Sequence, residues 1–157
     1  MPRRPYKKTN VKIEPLHDSY EMAKLINYVM KDGKKSIAQK IVYSVCERMK
    51  KEAADPIKIL NQAITNVAPE HEVKPKRLGG ASYLVPIEVR RGRKLFLALN
   101  WIINAAKSRS NKEYKTFAEK LYTELMEASK NLGQAVNKKL QVEKVAEANR
   151  AFAHLKW

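Results

Sequence analysis

The chain of 157 residues contains one cysteine and only five glycines. A single cysteine excludes a disulfide framework within the chain and fits a reducing compartment. The glycines form none of the patterns that cradle a phosphate or a dinucleotide, and the sequence shows no nucleophile motif and no metal-ligand spacing. We therefore expect no catalytic residue, no metal site and no cofactor.

Long apolar runs are absent as well. The longest candidate, Leu95 to Ile103, is interrupted by Asn100 and falls well short of the roughly 18 residues that a membrane-spanning helix needs. The basic amino-terminal stretch is followed by no apolar segment, so it does not have the form of a secretory signal. A hydrophobic content of 44% nevertheless supplies a core, which excludes a wholly disordered tail protein.

Acidic side chains are scarce relative to basic ones. The chain has 32 lysines and arginines against 16 aspartates and glutamates, and its net charge is +16. This excess points to a nucleic acid as the first choice of partner, an anionic membrane surface as the second and an acidic protein as the third. The cations gather at chain ends, turns and one ribbon, whereas acids such as Glu124 and Glu127 lie in helix bodies. The sequence therefore predicts one basic side and one ordinary solvated side.

Hydrophobic spacing predicts six helices. Their expected positions are a start near Asp18-Ser19, then about Ser36 to Ala53, a third from Pro56, about Arg91 to Ser108, about Lys115 to Ser129, and within Ala135 to Ala148. The fourth is apolar around most of its circumference and is expected at the centre of the core. The predicted inward stripes include Ile37 in the second helix and Leu140 and Val145 in the last.

A β-hairpin is predicted at residues 71–90, within the stretch HEVKPKRLGGASYLVPIEVRRGRK. Gly79-Gly80 supplies the two positive φ angles that a two-residue turn needs, and strand-favouring residues flank it. This turn sets Leu78 opposite Ala81, Lys76 opposite Tyr83 and Lys74 opposite Val85. Because a lone two-stranded ribbon is marginal in water, we expect an arm that gains its order against a polyanion.

The predicted fold class is mainly α, a bundle of about six helices with a protruding two-stranded β-hairpin. We expect a single domain over residues 1–157, with residues 1–15 as a flexible basic arm. RNA is preferred over DNA because a ribbon and a flexible tail suit irregularly folded RNA. An architectural DNA-binding protein is the alternative. Tyr83 has two interpretations, stacking on a base or packing across the ribbon on the stem of Lys76.

Four segments resemble the bacterial-type small-subunit ribosomal protein S-seven family. They are DGKK at Asp32–Lys35, RLGGASYLVPIEV at Arg77–Val89, Ala98-Leu99 with Trp101, and AEANRAFAHLKW at Ala146–Trp157. The resemblance implies a structural constituent of the small ribosomal subunit that is not an enzyme. It implies a primary binder of the 3′ major domain of small-subunit rRNA, which nucleates head assembly and holds its hairpin near exit-site tRNA and mRNA.

The resemblance also implies partners, location and contact residues. The partners are small-subunit rRNA, exit-site tRNA, mRNA and neighbouring head and platform ribosomal proteins, with no membrane; the location is a cytoplasmic ribosome, and a plastid ribosome is left open. Lys74 and Lys76 stand where many relatives carry arginine, and lysine lacks the bidentate fork. The implied RNA-contacting residues, with Tyr83 added from the ribbon's own chemistry, are Arg3, Arg4, Lys7, Lys8, Lys34, Lys35, Lys74, Lys76, Arg77, Tyr83, Arg91, Arg93, Lys94, Lys138, Lys139 and Arg150.

Overall fold

The computed structural model describes residues 13, 16, 18–52 and 55–155. Within them lie six α-helices, one two-stranded antiparallel sheet and a 3₁₀ helix. In chain order these are α1 (Tyr20–Val29), α2 (Lys35–Lys51), α3 (Pro56–Val67), β1 (His71–Leu78), β2 (Ala81–Glu88), α4 (Arg91–Ser108), α5 (Phe117–Ser129), α6 (Gln134–Ala148) and the 3₁₀ helix (Arg150–Leu155). The prediction of a mainly helical protein with one hairpin is confirmed.

Helix α4 forms the centre of the core, as its nearly all-round apolar sequence predicts. It packs against α1, α3, α5 and α6. Leu99 and Ile102 are completely buried, and Ile103 is 1% exposed. Full burial of each such side chain contributes about 1.5–3 kcal/mol of hydrophobic stabilisation, so this helix is a principal source of the fold's stability.

Three helices begin with a side-chain cap. Ser19, Asp55 and Thr116 each accept a hydrogen bond from a backbone N–H of the first turn of α1, α3 and α5, respectively. At α5 the Glu119 carboxylate also accepts from the Thr116 backbone N–H, which completes a capping box. Ser110, which has the same spacing to a glutamate, lies in the preceding loop instead. Local chemistry thus sets three of the helix starts.

Several inward-facing positions were predicted wrongly. Ile37 of α2 is 53% exposed, and Leu140 and Val145 of α6 are 56% and 42% exposed. In α2 the buried residue at this end is the neighbouring Ala38, followed by Val42, Val45, Cys46 and Met49, and in α6 the buried residues are Ala135, Val136 and Ala146. The contacts of α6 are therefore made mainly by small residues, which lets its backbone approach the rest of the bundle closely.

The hairpin has the predicted register and turn. Leu78 pairs with Ala81, Lys76 with Tyr83 and Lys74 with Val85. Gly79 and Gly80 have φ angles of +54° and +87°, the left-handed conformation that a tight two-residue turn demands at both positions.

Two prolines lie inside the ribbon without interrupting it. The Val89 N–H donates to the Glu70 carbonyl at 2.9 Å, just beyond the ends of the strands. Since hydrogen-bonded and non-hydrogen-bonded pairs alternate along an antiparallel ladder, this bond assigns Pro75 and Pro86 to non-hydrogen-bonded pairs. Neither proline therefore removes a donor from the ladder.

The base of the hairpin is part of the packed fold. Val85 is completely buried, Val89 is 4% exposed, and Pro86 is also buried. Both strands contact α6, and β2 also contacts the 3₁₀ helix. The ribbon has no further sheet to join, as expected, but it has a protein surface to lie on. The expectation of an arm ordered only by a polyanion is therefore wrong for the base of the hairpin.

Over the described part of the chain, no helix combines the length and the apolar character needed to cross a membrane.

Candidate nucleic-acid interface

The start of α4 concentrates cations where most helices have a cap. Arg90 occupies the N-cap position and makes no side-chain capping bond, and the first turn contains no acidic residue. Arg91 and Arg93 are exposed and Lys94 is half-buried. Gly92 lies between them, and a Cβ added there would meet no atom within 4 Å, so the surface above this turn is open.

The start of α2 has the same character. Lys34 is the N-cap residue without a side-chain capping bond, Lys35 is the first helical residue, and the first turn has no acid. Both lysines are exposed. Within the described residues α2 packs only against α1, α3 and α5, not against the hairpin. Lys34 and Lys35 therefore form a basic centre apart from the one around the ribbon.

Cations at these positions are electrostatically unfavourable in the free protein. A helix N-terminus carries about half a positive charge, and a cation there loses about 0.3–1 kcal/mol where an anion would gain it. The Lys35 and Arg93 N–H groups donate to the Gly33 and Arg90 carbonyls. Among the described residues, the first-turn donors left for a ligand are therefore those of Ser36 and Ile37 in α2 and of Arg91 and Gly92 in α4. A phosphate placed at either start would accept those N–H bonds and neutralise the adjacent side chains, which is the ordinary chemistry of anion binding at helix N-termini.

Arg93 connects this helix start to the hairpin. Its Nε and one terminal nitrogen both donate to a single Glu72 oxygen at 3.3 Å, and its guanidinium lies 5.1 Å from the centroid of the Phe96 ring. The Arg93 side chain remains 48% exposed. Arg93, one of the predicted contact residues, therefore links β1 to α4. Part of its hydrogen-bonding capacity is already used within the protein by Glu72.

The ribbon's own candidates divide between its two faces. Lys74, Lys76 and Tyr83 share one face, and Arg77 projects from the other, because side chains alternate along a strand. Lys74 and Arg77 are exposed, while Lys76 and Tyr83 are half-buried. The Tyr83 ring packs against Phe152 of the 3₁₀ helix, with centroids 5.2 Å apart. Neither of the two interpretations of Tyr83 included this partner.

Two further candidates lie in a groove of mixed charge. Lys139 and Arg150 line it together with the hairpin base, and Arg150 lies 3.2 Å from Glu147. The charged side chains of the groove are four glutamates (Glu70, Glu88, Glu143, Glu147) and three cations (Lys139, Lys144, Arg150). Its field is therefore less suited to phosphate than that of the two helix starts. Lys138, the neighbour of Lys139, is exposed outside the groove.

The remaining candidates, Arg3, Arg4, Lys7 and Lys8, lie outside the described residues, as does nearly all of the predicted arm over residues 1–15.

A buried ionic network links the end of α4, α5 and the start of α6, and sequence reasoning missed it. Glu124 of α5 is completely buried, which corrects its assignment to a solvated side. One carboxylate oxygen accepts from Arg109 Nε at 3.0 Å and from a terminal Arg109 nitrogen at 2.6 Å. The other accepts from the Ala135 N–H at 3.0 Å, in the first turn of α6. Glu124 thus caps α6 from the neighbouring helix.

Other contacts complete this network. Arg109 also donates to Glu127, and buried Lys120 donates to the Arg109 carbonyl and the Asn111 side chain. Burial opposes the charge on Arg109, but hydrogen bonds to Glu127 and Glu124 raise its pKa above its ordinary value. The burial of Glu124 was indicated in the sequence, since the apolar residues Leu121, Leu125 and Ala128 share its side of the helix.

A second polar cluster joins α2 to α5. The Tyr122 hydroxyl donates to Glu52, and the Arg48 guanidinium lies 4.6 Å from the centroid of the Tyr122 ring. Burial, followed by the bond to Glu52, raises the Tyr122 pKa. Glu52, Tyr122 and Arg48 therefore form one contact cluster between the two helices.

Across residues 18–52 and 55–155, no cluster of three or more His, Cys, Asp or Glu side chains is arranged to hold a metal ion.

The described residues form a mainly helical protein with one hairpin, in which exposed cations take the place of side-chain caps at two helix starts. Comparison with known proteins identifies the family of this helical protein. The family described as "Ribosomal protein S7p/S5e" matches residues 1–150. The chain is 51% identical over 158 residues to the small ribosomal subunit protein uS7 of Thermosipho africanus, and 48% identical over 159 residues to that of Caldicellulosiruptor bescii. Both alignments cover 100% of each chain. The chain belongs to the ribosomal protein S7p/S5e family.

Proposed function

We propose that this protein is a structural, non-catalytic constituent of the small ribosomal subunit that binds small-subunit rRNA. The observation that carries the proposal is the pair of uncapped, basic helix starts at α2 and α4. The names of the relatives, small ribosomal subunit proteins, support it. The specific target is the 3′ major domain of that rRNA, and binding there nucleates assembly of the subunit head.

In this proposal the predicted contact residues share the task among two helix starts and the ribbon. Lys34 and Lys35 hold one phosphate group at α2, and Arg91 and Lys94 hold another at α4. Arg77 and Lys74 extend the basic surface along the ribbon, whose tip meets exit-site tRNA and mRNA. Residues 1–157 act as one RNA-binding domain, with residues 1–15 as the basic arm. Neighbouring head and platform proteins are its protein partners.

Binding of the 3′ major domain RNA at increasing salt tests the proposal. With roughly six phosphates neutralised, the slope of log affinity against log salt should be about −4 to −6. Replacing Lys34 and Lys35 by glutamine should make the slope about 1–2 units less negative. Replacing Lys50 and Lys51 by glutamine is the matched control, because it removes equal charge from the opposite end of the same helix.

Equal losses in the α2-start variant and its control would refute phosphate binding at the helix start. Effective competition by duplex DNA would favour the alternative of an architectural DNA-binding protein. Incubation of the pure protein with labelled RNA checks the absence of cleavage.

The ribbon tip has its own test, and the buried base sets its limits. Because Val85 is completely buried and Tyr83 packs against Phe152, the cut must stop short of both. Replacing residues 77–82 by Gly-Gly keeps the Lys76–Tyr83 pair as the closing pair. The shortened protein should unfold within a few degrees of the parent and still enter the subunit head, since both helix starts remain. The defect should appear in tRNA or mRNA handling at the exit site; normal translation would show that the tip is only a solvated face.

A further inference from the structure

The 3₁₀ helix Arg150–Leu155 lies against β2, the second strand of the hairpin. Its Phe152 ring is half-buried and tilted by 54° to the Tyr83 ring, at a centroid separation of 5.2 Å. This is the separation and tilt of a favourable aromatic pair. The Phe152 N–H donates to the Asn149 carbonyl at 3.0 Å, which fixes the start of the 3₁₀ helix on the end of α6.

The position of this ring pair along the ribbon is informative. Val85, two residues nearer the base on the same face as Tyr83, is completely buried. Beyond Tyr83 toward the turn, residues 79–82 and Arg77 are exposed, and only Leu78 is half-buried. Among the described residues, the contact between Tyr83 and Phe152 is therefore the outermost aromatic support of the ribbon.

A two-stranded ribbon that projects past its support is only marginally ordered in water, and such ends open first. The direction of the tip therefore depends on the last contact that holds the ribbon. Phe152 supplies that contact from a segment far away in the chain.

We propose that Phe152 is a positioning residue for the hairpin. It acts through Tyr83, which is an internal anchor and not a base-stacking residue, and together they fix the direction in which the tip presents Arg77. The coupling of the 3₁₀ helix to the ribbon is a property of the free protein. Only its consequence for RNA contacts at the tip rests on the proposed function.

Amide hydrogen exchange of the full chain tests the coupling directly. In Phe152→Ala, the amides of Lys76, Leu78 and Tyr83 should exchange about tenfold faster, the effect expected from loss of one aromatic pair. The amides of Leu99 and Ile102 in α4 should keep their protection. Phe152→Tyr should restore slow exchange in the ribbon, and Phe152→Leu should restore it only in part.

His154→Gln is the matched control in the same 3₁₀ helix, because His154 is exposed and, among the described residues, its Nδ1 lies 2.8 Å from the Ala151 carbonyl of the same segment. It should leave ribbon exchange unchanged. Unchanged exchange in Phe152→Ala, or equal acceleration in α4 and the ribbon, would overturn the proposal. If Phe152→Ala does not fold, Tyr83→Leu and Phe152→Leu give the same comparison from both sides of the pair, and they must accelerate the same amides.

An RNA footprint separates this inference from the proposed function. Phe152→Ala should lose the protections due to the ribbon tip and keep those due to the starts of α2 and α4. If the parent protein protects no RNA while ribbon exchange still depends on Phe152, the proposed function fails and the positioning role stands. If the parent footprint persists unchanged in Phe152→Ala, the positioning role fails and RNA binding stands.

Discussion

Replacing Arg109 by methionine should be among the most destabilising single changes in this protein. Arg109 is the cation of the buried network, with a side chain only 12% exposed. Removing it leaves Glu124, which is completely buried, and Glu127, which is 38% exposed, without their shared cation. Breaking a buried pair from one side costs about 3–5 kcal/mol, because the remaining charge stays desolvated. For a chain of this size that loss lowers the Tm by about 6–20 °C.

Replacing Glu124, the buried acidic partner of Arg109, should reduce the stability of the protein less. In Glu124→Gln, the amide oxygen can still accept from the Ala135 N–H, and Arg109 keeps its bond to Glu127. We therefore expect a loss of about 1–3 kcal/mol, the cost of leaving one partner of a buried hydrogen bond incompletely satisfied. The double variant should be more stable than the sum of the two single losses predicts, because it removes both the cation and its most buried counter-charge.

Urea unfolding followed by circular dichroism measures these differences. Lys112→Met is the control, since Lys112 is exposed in the same loop and should change stability by no more than about 0.5 kcal/mol. If Arg109→Met unfolds within about 1 kcal/mol of the parent, the network is not the desolvated cluster that its burial indicates. Simple additivity in the double variant would show that Arg109 and Glu124 do not interact.

Three further predictions concern a cap, a glycine and a titrating tyrosine. Thr116→Ala should cost about 1 kcal/mol through loss of the α5 cap, whereas Ser110→Ala should cost much less; equal losses in thermal melts would contradict the assigned capping box. Gly133→Ala should destabilise by more than about 1 kcal/mol, because its φ is +95° and the new Cβ lies 3.0 Å from Glu124 Oε1. Gly92→Ala, with open space around it, should be neutral or slightly stabilising; a reversed order would contradict this reasoning. Tyr122 has a raised pKa in the folded state, so the folded protein holds the hydroxyl proton more tightly than the unfolded chain does. The stability that this hydroxyl contributes is present at lower pH and is lost as pH rises from about 10 upward. Urea melts should therefore show a steeper loss of stability above that pH in the parent than in Tyr122→Phe, and parallel profiles would contradict the assignment.

Local chemistry made much of the fold predictable. The hairpin register follows from Gly79-Gly80 and the flanking strand pattern, and the α3 start follows from Asp55-Pro56. The information for each lies within a few neighbouring residues, because a tight turn and an N-cap bond both close over two to four positions. The bounds of α4, Arg91–Ser108, agree at both ends with those predicted from its apolar spacing.

The candidate site was predictable in its composition but not in its partners. The charge pattern of the sequence predicts cations at turns and helix starts, and the structure has exposed cations there, such as Lys34, Lys35 and Arg91. Pairing was not predictable, because it depends on which elements meet. Arg93 donates to Glu72 of the hairpin, and Arg150 lies in a groove with four glutamates.

The sequence by itself determined the six α-helices, the hairpin, their order, the turn and the excess of positive charge, since each depends on residue type and short-range spacing; the 3₁₀ helix Arg150–Leu155 was not predicted. Only the tertiary structure decided which glutamate of α5 is solvent-accessible and which is buried. Glu119 closes a local capping box, while Glu124, just over one turn later, is buried against Arg109 and the start of α6. The same holds for Tyr83, whose partner Phe152 lies in the 3₁₀ helix far along the chain. Periodicity shows which side chains share a face, but burial of a charge or a ring depends on the element that packs against that face, and long-range packing selects that element.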